Sequence, residues 1–442
     1  VLSASAGDDK IAWYENDGSQ SFTEHAITTQ ANGAYAVYAT DMDGDGDPDV
    51  VAGFDADYSL AWYKNDGSGN FQPQMTSMGA DRVRAVHAAD MDQDGDMDLL
   101  SASYSDDKIV WYANQTNTPA VHAVSTQAQN GTADKTPTFA WRSAGEGTLS
   151  HTLYVGTGTD PYTNGDSYDA AANESYTLTT ALSAGTTYYW GVAATDANGT
   201  TQSAVQSFTV LEPMQGGRVD PGSLIADTAN GAWDVFAADM DGDGDQDVLS
   251  ASYTDDRIIW YENDGTAQYT SHLVSDAANS ARAVHAADID GDGDMDVLSA
   301  SEYDDKIAWY ENDGSGSFTE HVITTTADGA WDVYATDMDG DGDVDVLSAS
   351  YNDDKIAWYE NNGNQQFTKQ TLATGSDPRA VYATDLDSDG DMDVLWASSG
   401  GNRISWWENT GSETSTVHDI TTNAVNAYDV YATDLDGDGD VD

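Results

Sequence analysis

A nine-residue Asp pattern recurs seven times in this 442-residue chain and constrains its fold more than any other feature. It reads DMDGDGDPD at 41–49, DMDQDGDMD at 90–98, DMDGDGDQD at 239–247 and DIDGDGDMD at 288–296. It returns as DMDGDGDVD at 337–345, DLDSDGDMD at 385–393 and DLDGDGDVD at 434–442. Successive copies start 49, 149, 49, 49, 48 and 49 residues apart, so the long interval is one period plus an insertion of 100. Continuing from Asp442 into Val1 reaches the first copy after another 49 residues. The joined ends would read DGDGDVD-VLSASAGDDKIAWYEN, against GDGDVDVLSASYNDDKIAWYEN at 340–361. A fixed period of this length means repeated supersecondary units. The phase means a circularly permuted ring of seven.

Each unit reads as four short strands. In the copy from Ala330 these are AWDVYATD, DVLSAS, KIAWYEN and QFTKQTLAT, separated by Asn/Asp/Gly turns. No segment keeps a 3.6-residue period. Four strands in 40–50 residues is the period of a β-propeller blade. The expected fold is all-β: a seven-bladed β-propeller closed by N- and C-terminal segments that share one blade, plus an inserted β-sandwich. The C-terminus supplies the first strand of the seventh blade and the N-terminus the other three, which protects sheet edges. The expected division is 1–113 propeller, 114–216 insertion and 217–442 propeller.

The insertion falls between the third and fourth strands of the second blade. It is rich in Thr, Ser and Ala and lacks the Asp pattern. Its alternating segments suggest a small β-sandwich. The later part resembles bacterial fibronectin type III domains through Leu182, Gly185, Thr186, Tyr188 and Trp190. Trp141 and Trp190 are expected in that sandwich's core. Four Asn-x-Ser/Thr triplets lie here, so Asn114, Asn130, Asn173 and Asn198 are candidate glycosylation sites.

The chemistry of the Asp pattern follows from its spacing. Side chains at positions 1, 3 and 5 converge when the backbone coils about a point. Gly at position 6 permits the sharp turn, position 7 offers its carbonyl, and position 9 closes the shell with a carboxylate. All donors are oxygen and several are charged, which suits Ca²⁺ over Mg²⁺. The candidate ligand sets are Asp41, Asp43, Asp45, Asp47 and Asp49; Asp90, Asp92, Asp94, Asp96 and Asp98; and Asp239, Asp241, Asp243, Asp245 and Asp247. The others are Asp288, Asp290, Asp292, Asp294 and Asp296; Asp337, Asp339, Asp341, Asp343 and Asp345; Asp385, Asp387, Asp389, Asp391 and Asp393; and Asp434, Asp436, Asp438, Asp440 and Asp442. About seven Ca²⁺ are expected, one per blade. Gly fills position 6 in every copy, which a merely solvated acidic turn would not require. The repeat resembles the FG-GAP/VCBS-type calcium propeller repeats found in integrin α-subunits and bacterial surface proteins. That resemblance implies a calcium-bound propeller, although the phenylalanine-glycine and glycine-alanine-proline signatures are degenerate here.

Composition supports an acidic, folded chain. There are 15 Lys+Arg against 78 Asp+Glu, a formal net charge of −63, and 66 of the 78 acids are Asp. Such a charge excludes the usual basic nucleic-acid binder and disfavours docking on anionic membranes. Cysteine is absent, so no disulfide or thiolate site exists. No apolar run approaches a membrane span. The sequence opens at Val1 without a signal peptide, which reads as a processed or truncated product.

Two further rings vary by blade. Just inside the first strand stand Tyr35, Arg84, Trp233, Arg282, Trp331, Arg379 and Tyr428, followed by Ala36, Ala85, Asp234, Ala283, Asp332, Ala380 and Asp429. Each Arg is expected to stack on one neighbour's aromatic ring and pair with another's Asp, either as an inter-blade staple or as a ligand ring at the channel mouth. The third strands carry Trp-Tyr pairs such as Trp13-Tyr14 and Trp309-Tyr310, read as inter-blade core because adjacent strand residues face opposite sides. His25, His272, His321 and His418 recur in fourth strands, which reads as packing. No nucleophile elbow, zinc-type His pair or phosphate loop is present.

These observations predict no enzyme. The expected function is a non-catalytic, calcium-stabilised extracellular module that binds a glycan or protein ligand, from a bacterial cell surface or secretion. The alternatives are a subunit of an extracellular filament or surface layer built from copies of itself, and an accessory domain of a larger secreted enzyme.

Overall fold

The computed structural model describes the chain apart from residues 57–58, 77–79, 94, 115–137, 141–149, 172–174, 181, 184–185, 197–198, 203–204, 211–222, 266–267 and 412–414. The chain divides into two compact units. The first comprises Val1–Gln93, Met97–Asn114 and Val219–Asp442; the second comprises Asp94–Asp96 and Gln115–Arg218.

Among the described residues the first unit contains seven four-stranded antiparallel sheets; six have their strands in sequence order, and the seventh places the last strand of the chain beside the first. Blade 1 is Ala34–Thr40, Asp49–Phe54, Ser59–Asn65 and Phe71–Thr76. Blade 2 is Val83–Ala89, Asp98–Ser103 and Lys108–Tyr112, completed by Ser223–Ala226 from beyond the insertion. Blades 3, 4, 5 and 6 open at Ala232, Ala281, Ala330 and Pro378. Blade 7 joins Ala427–Tyr431 to Leu2–Ser5 with Leu2 opposite Tyr431, and continues through Lys10–Asn16 and Phe22–Thr28. The first strand packs on the first strand of the next blade, and Ala427–Tyr431 packs on Ala34–Thr40 to close the circle.

The cores lie between blades. Trp13 of blade 7 packs with Val37, Val50 and Ala52 of blade 1, while Tyr14 packs with Leu395 and Trp406 of blade 6. The same division recurs: Trp309 faces blade 5 and Tyr310 faces blade 3. Successive strand residues point to opposite faces, so one dipeptide supplies a large ring to each interface. Second strands such as DVLSAS at 345–350 are wholly buried, which explains their small, apolar residues.

The second unit has a five-stranded sheet of Asp166–Ala171, Ser150–Gly156, Thr186–Asp196, Gly199–Gln202 and Gln206–Val210, and a two-stranded pair, Thr138–Ala140 with Ser175–Thr177. Trp190 is buried there with Leu153, Val155, Leu178 and Val192. Trp141, Gly185, Asn130, Asn173 and Asn198 lie outside the described residues.

Candidate functional site

The Asp loops join the first and second strands on one face of the propeller. Position 1 ties the turn to itself: in blade 3, Asp239 Oδ1 accepts from Gly242 N at 2.8 Å and Oδ2 from Gly244 N at 3.0 Å. Position 3 accepts from the position 5 amide, as at Asp241 (3.1 Å), and position 5 from position 7, as at Asp243 (2.9 Å). Gly at position 6 has φ from +94° to +101° in all seven loops. A side chain there would meet open space in most loops, so backbone conformation rather than room demands glycine.

Position 9 is fully buried in every loop: Asp49, Asp98, Asp247, Asp296, Asp345, Asp393 and Asp442. Asp345 accepts from Met338 N at 3.1 Å and from Asn361 N of the third strand at 2.7 Å, and the other six repeat this pair. Burial pushes these carboxyls up, to about 7 for Asp49, Asp247, Asp296 and Asp393, about 8 for Asp98, and about 6 for Asp345 and Asp442. The two amide bonds do not offset the desolvation.

One carboxylate oxygen from each of Asp41, Asp43 and Asp45 falls within 4.8 Å of the others. The same holds for Asp90, Asp92 and Asp98; Asp239, Asp241 and Asp243; Asp288, Asp290 and Asp296; and Asp337, Asp339 and Asp345. Positions 1 and 3 thus converge with position 5 in blades 1 and 3, and with position 9 in blades 2, 4 and 5. The position 7 side chains do not join them: those of Asp245, Asp294 and Asp343 lie against Gly265, Gly314 and Gly363 of the third-to-fourth-strand turn. Asp94 lies outside the described residues.

An Asn separated from the Trp-Tyr pair by one residue links the loops around the ring. Asn361 Nδ2 donates to Val344 O in its own loop (3.1 Å) and to Ile289 O in the loop of blade 4 (3.2 Å). Asn16, Asn65, Asn263, Asn312 and Asn409 repeat this. So does Asn114, which donates to Met42 O and Met97 O. That corrects its reading as a glycosylation site, because the amide is fully buried and already committed. The sequence signal, W-[YW]-x-N in every copy, was present and was not used.

In the central channel the arginines stack on the aromatic rings of neighbouring blades. Arg84 lies over Tyr35 and Trp233 at 4.3 and 4.7 Å, Arg282 over Trp233 and Trp331 at 3.7 and 3.9 Å, and Arg379 over Trp331 at 3.8 Å. Seven is odd, so strict alternation cannot close, and the leftover neighbours Tyr428 and Tyr35 stack on each other at 4.4 Å. The expected Arg–Asp pairing is corrected. Arg282 pairs with Glu302, Arg84 with Asp55, and Arg379 Nε donates to Ser399 Oγ at 3.0 Å. The ring aspartates instead clamp backbone amides of the next blade: Asp234 takes Val284 N, Asp332 takes Val381 N and Asp429 takes Val37 N, at 2.8–2.9 Å. Burial raises Asp234 to about 7, Asp429 to about 6, and Asp332 well above the carboxylate range. The cavity these residues line is about 110 Å³.

Deeper in the channel, one aromatic ring per blade completes a second circle: Tyr38, His87, Phe236, His285, Tyr334, Tyr382 and Tyr431, with neighbours 4.4–5.0 Å apart. His87 also borders a larger hollow of about 630 Å³ on the loop side. Burial lowers His87 to about 4 and His285 to about 3. A histidine kept neutral by the fold stabilises it fully above its unfolded pKa near 6.5. That stability is lost as pH falls toward the folded value. Between pH 6.5 and 5 the loss comes to about 2 kcal/mol per histidine at 1.36 kcal/mol per pKa unit. Replacing His87→Phe and His285→Tyr, the ring types used by blades 3 and 5, is expected to flatten unfolding stability over that interval. An unchanged pH slope in the double variant would contradict the assignment. The four outer histidines behave as packing: His321 stacks on Trp309 at 4.5 Å and bonds Glu311 at 2.7 Å.

This geometry defines a β-propeller of repeated, acid-looped blades. FG-GAP-like repeat models match residues 1–52, 41–101, 239–299, 288–348, 337–396 and 385–442, together more than half of the chain, and the chain belongs to that family. No curated protein matches its sequence. Among solved structures it is similar to a Lactobacillus plantarum protein (11% identity, 96% of each chain, TM-score 0.54). It is also similar to a putative 6-phosphogluconolactonase from Bacteroides uniformis (14% identity, 95% of this chain and 94% of that one, TM-score 0.51). A third is the periplasmic gluconolactonase of Pseudomonas aeruginosa (13% identity, 97% of each chain, TM-score 0.49).

These names correct the functional expectation. The exclusion of catalysis, and with it the non-catalytic adhesion module and its filament and accessory-domain alternatives, rested on the argument that a repetitive chain has no singular site. A propeller of this architecture that is named as a putative 6-phosphogluconolactonase overturns that argument, because one fold can carry a singular site as well as a repeated scaffold. Among the described residues no helix is long and apolar enough to cross a membrane.

Proposed function

We propose that this chain is a seven-bladed calcium propeller whose Asp loops bind Ca²⁺ and whose folding depends on it. The observation that carries this reading is the convergence, in loop after loop, of three carboxylate oxygens within 4.8 Å on a backbone turned by a left-handed glycine. The donor set is all oxygen, with a buried acid at position 9 and a backbone carbonyl at position 7, which suits a hard cation of flexible coordination. In this reading the Asn bonds couple neighbouring cation sites, and the Arg–aromatic ring acts as a staple, its guanidinium faces covered on both sides. The insertion is a fibronectin-like β-sandwich built around Trp190. The loops lack the bidentate Glu of tight cytosolic calcium loops, so an exported location, where calcium is plentiful, fits them. Calorimetric titration of chelator-stripped protein tests the proposal. Saturable binding of several Ca²⁺ per chain, persisting in excess Mg²⁺, is the expected result; no heat with Ca²⁺ would remove the proposal.

A further inference from the structure

Blade 1 departs from its siblings beside the loop. The third-strand residue before the recurrent Asn is Glu15 in blade 7, Glu262, Glu311, Glu360 and Glu408 in blades 3 to 6, Ala113 in blade 2, and Lys64 in blade 1. Where Glu stands, it is held by a fourth-strand partner, as His272 holds Glu262 at 2.6 Å. Blade 1 has exchanged both members. Lys64 replaces the Glu, and Met75 takes the register position opposite Trp62 that His25 holds opposite Trp13.

Lys64 Nζ contacts Asp43 Oδ2 and lies 2.9 Å from Asp45 Oδ2. Asp43 and Asp45 are two of the three acids whose oxygens converge in this loop. The backbone of the loop is otherwise the common one: Asp41 takes Gly44 N at 2.7 Å and Gly46 N at 2.9 Å, and Gly46 has φ +97°. Among the described residues, the other lysine ion pairs fall on second-to-third-strand turns and fourth strands, as Lys306 does with Asp304 and Glu320. An ammonium on the very carboxylates that would hold a cation competes with it directly. If the stem swings aside, the charge still stays close.

We propose that Lys64 is the built-in counter-ion of the blade 1 loop, so that the chain holds calcium in six loops rather than seven. This rests on the calcium reading above. Repulsion between Ca²⁺ and a neighbouring ammonium at intermediate dielectric weakens the blade 1 site by more than about a hundredfold.

The test counts bound metal per chain by equilibrium dialysis and atomic emission, at free calcium about tenfold above the dissociation constant of the tight sites. Wild type, Lys64→Glu and Lys64→Met are compared, with circular dichroism in calcium confirming that each is folded. Six ions for wild type and seven for both variants are expected. In chelator both variants should melt below wild type, because they lose the ammonium that pairs with Asp43 and Asp45. Seven ions in wild type, or six in either variant, overturns the inference and leaves the calcium reading standing. Calcium bound by none of the three overturns the calcium reading and this inference with it.

Discussion

Chelating calcium is expected to lower the melting temperature of the propeller by more than about 20 °C. Two like charges 4 Å apart repel by about 4 kcal/mol at an effective dielectric near 20, and each loop gathers at least three carboxylates at about that spacing. Ligand at a hundred times its dissociation constant stabilises by about 2.7 kcal/mol per site, so half a dozen sites supply roughly 16 kcal/mol. At about 2 °C or less per kcal/mol in a unit of this size, the shift remains tens of degrees. Differential scanning fluorimetry at constant ionic strength, in calcium and in chelator, measures it. Magnesium at equal concentration should restore little. Coincident melts would contradict the loops' role in folding.

The second large effect is in the channel. Arg282 and Glu302 are both nearly inaccessible, with side chains 6% and 5% exposed. Glu302 also accepts from Tyr351 Oη at 3.0 Å. Arg282→Met leaves that carboxylate buried without its cation and removes the sandwich between Trp233 and Trp331. Breaking one half of a buried pair costs about 3–5 kcal/mol. Adding Glu302→Gln should recover most of the loss, since a neutral amide can keep the Tyr351 bond at no charge cost. Chemical unfolding of wild type, single and double variants reads both effects. A single variant within about 1 kcal/mol of wild type would show that the pair is not structural, because surface ion pairs fall in that range.

Much of the architecture was legible because spacing alone carries it. The 49-residue interval located each blade. The wrap from Asp442 to Val1 predicted the pairing of Leu2 with Tyr431, and the odd interval put the insertion before Ser223–Ala226. The glycine at position 6 announced a left-handed turn that the backbone adopts in every loop. What escaped depends on residues that vary between blades, in turns that are distant from the ring in sequence and meet it only in the fold. Glu302, Asp55 and Ser399 occupy equivalent turn positions that no repeat pattern pairs with Arg282, Arg84 and Arg379. The aspartates beside the arginines pointed to ion pairs. A bulge in the first strand instead aims them at the amides of the next blade. The aromatic circle from Tyr38 to Tyr431 and the Asn links could have been read, since every copy carries them. Lys64 was visible as a departure from Glu, but only the fold brings its ammonium onto Asp43 and Asp45. The functional reading failed for a different reason. Periodicity describes a scaffold, and a single site on that scaffold need not repeat.

Diffraction from crystals grown in millimolar calcium, with anomalous data recorded, would test the central claim most directly. The account predicts anomalous peaks inside the Asp loops, about 2.3–2.6 Å from carboxylates of positions 1, 3, 5 and 9 and from the position 7 carbonyl. Loops of unchanged conformation without anomalous density would contradict it.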